Sequence, residues 1–158
     1  MSIQPRCFQG GAIIQEAIMT PQEIFDTVAT HLFTQGVMAV NTSLIPDSDG
    51  TAKCAYRGDN GVKCAAGCLI PDELYKPEME NKRFFAFFDY GGADLTQNRF
   101  DLPEWMRQNI HLIGALQCIH DNAKNWKNTE CMRKMLRRVG YENGVSTDIL
   151  KTLSFKGR

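Results

Sequence analysis

The chain lacks any apolar run approaching the roughly 20 residues that span a bilayer. Its early apolar stretch, GGAIIQEAIM, is interrupted by Gln15 and Glu16 and has neither a basic lead-in nor a small-residue cleavage site, so it does not read as an export signal. It also lacks internal repeats, low-complexity tracts and linkers. One domain is therefore expected over residues 19–158, with 1–18 as a leader or loosely attached arm. Net charge is missing too, since 18 Lys and Arg balance 18 Asp and Glu, which excludes a strongly acidic DNA mimic. After DYGG there is no Lys-Ser/Thr, so that stretch is not a phosphate loop. Without an export signal the expected compartment is the cytoplasm, where thiols stay reduced, and all six cysteines are read as thiols. No membrane partner and no cofactor is expected.

What is present is unevenly placed. Residues 1–121 hold nine Lys/Arg against fifteen Asp/Glu, and residues 122–158 hold nine against three. Such a dipolar chain suits an acidic partner, nucleic acid or head-to-tail self-association, and a homo-oligomer stays open.

Local signals predict mostly helix. Thr20, Pro21 and Glu23 form a capping box, apolar residues recur at helical spacing from Ile24 to Phe33, and Gly36 is the stop. VMAV at 37–40 fits a short strand. KCAYRG, the turn GDNG and VKCA predict a β-hairpin over 53–65. AAGCLI predicts a buried helical turn ended by Pro71. RFFAFF fits helix or strand and is core in both. NTSLIPDSDGT and DYGGADLTQNRF read as loops. Asp101 caps a predicted helix over 102–122, with Trp105, Leu112, Leu116 and Ile119 on one stripe. Thr129 starts a helix that Gly140 closes, and Ser146 caps a last short one. The fold class expected is a mainly helical α+β domain of four to five helices with one β-hairpin.

Three chemical readings compete for the cysteines. Zinc would use Cys54, Cys64 and Cys68, but structural zinc takes two close ligand pairs and the spacing offers half a site. Cys118 and His120 do not complete it, because side chains two apart on a helix point about 200° from each other. Catalysis would use Cys64 as nucleophile and His120 as base with Asp121 behind it. Against this, adjacent His and Asp side chains on a helix are not expected to bond each other. The third reading is packing: Cys64 and Cys68, four apart, lie on one face beside Ala65, Ala66 and Gly67. Packing is favoured, which leaves the surface to act by contact.

Two surface groups stand out for binding. The YRGDNG tip presents Tyr56, Arg57, Asp59 and Asn60. Arg133, Lys134, Arg137 and Arg138 make a basic helix face with no interleaved aromatic, which counts against single-stranded nucleic acid. The aromatics of residues 84–90 are a third candidate patch.

TPQEIFDTVATHLFTQG, CAYRGDNGVKCAAGCLIPDELYKPEME and LQCIHDNAKNW together resemble a group of small uncharacterised proteins of tailed phages and prophages, over about residues 19–140. The matching positions are Tyr56, Arg57, Gly58, Lys63, Cys64, Ala65, Gly67, Leu69, Ile70, Pro71, Asp72, His120 and Asp121. The resemblance implies a phage setting and no particular activity. A protein that binds and antagonises a bacterial host or defence protein is the expectation. A Cys64-dependent hydrolase or transferase, and a nucleic-acid binder, are the alternatives.

Overall fold

In the N-terminal third, the first helix forms as its sequence dictates. Helix α1 (Pro21–Gln35) opens on Thr20, whose hydroxyl accepts the Glu23 N–H at 3.2 Å while the Glu23 carboxylate accepts the Thr20 N–H at 2.8 Å. It closes on Gly36 at φ 70°, whose N–H donates to the Leu32 carbonyl at 2.9 Å. Thr20→Ala is expected to cost about 1 kcal/mol, read as a shift of the urea midpoint without a change of slope. The computed structural model describes residues 18–44, 54–88 and 99–156. The leader before Ile18, most of the NTSLIPDSDGT loop and all but the end of DYGGADLTQNRF lie outside the described residues.

Among the described residues the second half holds three more α-helices: α2 (Glu104–Gln108), α3 (Ile110–Asp121) and α4 (Thr129–Glu142). The helix expected over 102–122 is thus two, divided at Asn109. The Asn109 side chain donates to the Trp105 carbonyl at 2.8 Å, the same oxygen its own N–H uses at 3.1 Å, and this local competition distorts the turn. Asp101 does not cap it: Asp101 sits at φ 51°, Pro103 takes the cap position, and the first turn is steadied by Glu104 pairing with Arg107.

Helix α3 is the central element, packed on both α1 and α4. The core joins Phe25, Leu32 and Phe33 of α1 to Ile113 and Leu116 of α3, and to Met132 and Leu136 of α4. The C-terminal tail seals one end. Phe155 lies 5.1 Å from the Phe33 ring and stacks on Trp126 at 5.8 Å. Arg133 clamps the tail by donating to the Leu150 and Leu153 carbonyls at 3.0 and 2.8 Å. Gly140 does not end α4. It is buried mid-helix, where a Cβ would meet the Thr147 methyl at 2.4 Å, and the helix runs on to Glu142 before Gly144 turns at φ 65°.

The expected β-hairpin is absent. Among the described residues no strand forms, and the one β-bridge joins Val40 to Cys54, not to the 62–65 arm. The turn itself exists, with the Gly58 N–H donating to the Val62 carbonyl at 2.8 Å and a 3-10 turn at Asp59–Gly61. Its arms diverge because the donors a ladder would use are already taken. The Glu80 carboxylate accepts the Tyr56 N–H at 3.1 Å and the Arg57 N–H at 2.9 Å. The mainly helical part of the expected class stands, and the β part does not. VMAV is likewise extended only as far as the Val40 bridge. AAGCLI makes a buried 3-10 turn, Gly67–Leu69, and RFFAFF another, Phe84–Phe88.

Candidate functional site

Residues 54–82 carry almost no regular structure, so the backbone groups that their turns leave unpaired must be satisfied by side chains. Arg57 and Glu80 do this. The Arg57 guanidinium donates to the carbonyls of Gly67 at 2.6 Å and Ile70 at 2.9 Å, and to Asp72 at 2.9 Å, while lying 4.7 Å from the centre of the Tyr75 ring. Glu80, 8% exposed, also accepts the Tyr75 hydroxyl at 3.0 Å. Lys63 reaches the same Asp72 oxygen at 2.8 Å, and its hydrogen bond, with Arg57 beside it, holds the Asp72 carboxyl below the usual carboxylate range. Asp59 accepts the Thr42 N–H and hydroxyl at 3.1 and 2.8 Å. Of the tip residues proposed for binding, Tyr56 is buried, Arg57 and Asp59 are engaged within the fold, and Asn60 stays exposed at φ 59°.

Cys64 sits in the same frame. It is buried, and its sulfur accepts the Gly67 N–H at 3.2 Å. Burial pushes the Cys64 thiol well above its ordinary pKa, which opposes thiolate formation. Cys68 donates to the Ala65 carbonyl at 3.1 Å, and burial pushes it up to about 12. None of the five described cysteines is in a disulfide. Cys118 is exposed on α3. Among the described cysteines, Cys118 is therefore expected to be alkylated first in native protein, with Cys64 reacting only on unfolding, as peptide mapping after iodoacetamide would read.

His120 and Asp121 depart from expectation. His120 is fully buried, and its Nδ1 lies 2.9 Å from the Asp121 carboxylate despite their adjacency. Its Nε2 accepts the Ala39 N–H at 2.9 Å. A backbone N–H can only donate, so Nε2 holds a lone pair and the proton resides on Nδ1, facing Asp121. The His120 carbonyl accepts the Trp126 indole N–H at 2.8 Å. Nε2 thus ties the 39–40 segment to α3 while Nδ1 is held by Asp121 of the same helix, so both ring nitrogens are already engaged.

Metal-type donors meet differently from the cysteine set Cys54, Cys64 and Cys68. Among the described residues, Cys54, His120 and Asp121 bring one donor atom each within 4.8 Å of one another, a grouping that sequence spacing did not signal. The chemistry does not fit an ion. Ligation through Nδ1 would move the imidazole proton to Nε2, straight at the Ala39 N–H, while Nε2 itself is shielded by that N–H.

His31 shows the same economy. Its Nε2 lies 2.8 Å from the Lys63 carbonyl, and burial lowers its pKa. With the folded pKa below the unfolded one, the neutral ring's contribution is complete above about pH 6.5 and is lost as pH falls through the folded value. A histidine proton resonance titrating below the free-imidazole range, and restored to it in urea, is the expected result.

Between α3 and the irregular segments lies a cleft of about 720 Å³. Met38, Tyr56, Phe84 and Phe85 give it apolar walls; Lys82 and Arg83 stand at one side, Gln117, Cys118 and Asp121 at the other. Gly114 shapes the α3 wall, since a Cβ there would meet the Phe85 ring at 2.6 Å. Of the aromatics in 84–88, Phe84, Phe87 and Phe88 are buried and Phe85 is half-buried.

The basic face is divided. Arg133 turns inward to the tail, while Lys134, Arg137 and Arg138 are exposed. Arg137 pairs with Glu130 at 3.4 Å and Arg138 with Glu142 at 2.8 Å. No described helix is long and apolar enough to cross a membrane. Comparison with family models, curated proteins and solved structures finds no match to this chain.

Proposed function

We propose that the chain is a binding protein that receives a segment of a partner protein in the cleft between α3 and residues 81–85. The observation that carries this is the cleft's make-up: a largely apolar recess with room for several side chains, with Arg83 and Lys82 exposed at its edge. The groups that could do chemistry beside it, Cys64 and His120, are each consumed in holding backbone. An occupant with several apolar side chains and a nearby carboxylate would fit both features. The resemblance to phage proteins suggests a bacterial host or defence protein as that partner, and antagonism by occupation as the outcome.

The exposed thiol of Cys118 provides the test, because it lines the cleft. A bulky maleimide on native protein should abolish capture of the partner from a bacterial lysate. Cys118→Ser should be immune to that treatment, and Arg83→Glu should weaken capture about tenfold or more, as expected for losing a charge pair at an interface. Capture that survives both the maleimide and Arg83→Glu would exclude the cleft.

A further inference from the structure

Because α4 continues past Gly140, Tyr141 joins its outer face. Lys134, Arg137, Arg138 and Tyr141 stand at spacings of three, four and seven, so they fall within about 100° of arc on one side of the helix. All four are exposed, Tyr141 to 88%. The sequence around them is cationic, with nine Lys/Arg against three Asp/Glu over residues 122–158. A cationic stripe with an aromatic ring in register is the combination that tracks a phosphate backbone while stacking a base. It is separate from the cleft, whose lining includes no α4 residue.

We propose that this face of α4 binds single-stranded nucleic acid, with Lys134, Arg137 and Arg138 on phosphates and Tyr141 stacked on a base. The exposed pairs Arg137–Glu130 and Arg138–Glu142 do not prevent this, because such surface pairs are individually weak and phosphates can replace the carboxylates. An acidic protein would satisfy the cations but leave the ring without a role.

The test is fluorescence anisotropy of labelled oligo(dT) and oligo(rU) 20-mers with the full chain at 50 and 200 mM KCl. Saturable binding to either is expected, and the stronger of the two names the natural strand. Three phosphate contacts predict an affinity loss of about 20-fold between the two salt conditions. Tyr141→Ala should weaken binding about tenfold and Tyr141→Phe should not. The side chain is exposed, so neither variant should disturb folding, which circular dichroism checks. Absence of binding at 50 mM, indifference to Tyr141→Ala, or equal competition by polyglutamate would each overturn the proposal.

Discussion

Glu80→Ala is expected to lower stability by about 4 kcal/mol, and Glu80→Gln by about 2–3 kcal/mol. Alanine leaves the buried Tyr56 N–H and the half-buried Arg57 N–H without their acceptor. Glutamine keeps the size but turns one of the two accepting oxygens into an NH₂ group. That group faces a backbone N–H with nothing to offer it, so one of the two bonds is replaced by opposed donors. A carboxylate that only filled space would tolerate glutamine, and urea unfolding of the two variants separates the cases.

Gly67→Ala is expected to be as damaging, at about 3 kcal/mol or more. A Cβ at Gly67 would lie 2.3 Å from the Tyr56 carbonyl oxygen and 3.0 Å from its carbon. Those are backbone atoms, and they cannot retreat easily because the Tyr56 N–H is held by Glu80 and the Gly67 carbonyl by Arg57. The two predictions are linked: relaxing the Glu80 anchor should give the Tyr56 carbonyl room to shift. The double variant Glu80→Ala/Gly67→Ala is then expected to cost less than the sum of the singles, which a double-mutant cycle would read.

These residues also mark how far the sequence could be read. Helix α1 was legible to its ends because its capping box, its apolar period and its glycine stop are all local, within seventeen residues of chain. The α3 stripe was legible for the same reason, although the bend at Asn109 was not, since it depends on which way one amide side chain turns. The spacing of Cys64 and Cys68 beside small residues favours packing, and the buried position of Cys64 next to Gly67 agrees with it.

The hairpin failed on a non-local competition. KCAYRG and VKCA carry the alternation of strands and GDNG the turn, yet Glu80, more than twenty residues away, claims the amides at Tyr56 and Arg57. Likewise the lock from His120 to the Ala39 N–H spans 81 positions, and no spacing rule links an imidazole to an amide that distant. The exposed tyrosine on α4 was missed for a simpler reason. Gly140 looked like a stop, whereas its lack of a side chain serves the packing of Thr147 and Phe25 against the helix.

Amide hydrogen exchange at Tyr56 and Arg57 tests most directly whether an ion holds this region in place of a ladder. Protection comparable to that of Leu116 at the centre of α3 is expected in the wild-type chain, even though both amides lie outside any helix or strand. Exchange at the rate of an open loop would contradict the view that Glu80 and Arg57 fasten residues 54–82 to the core.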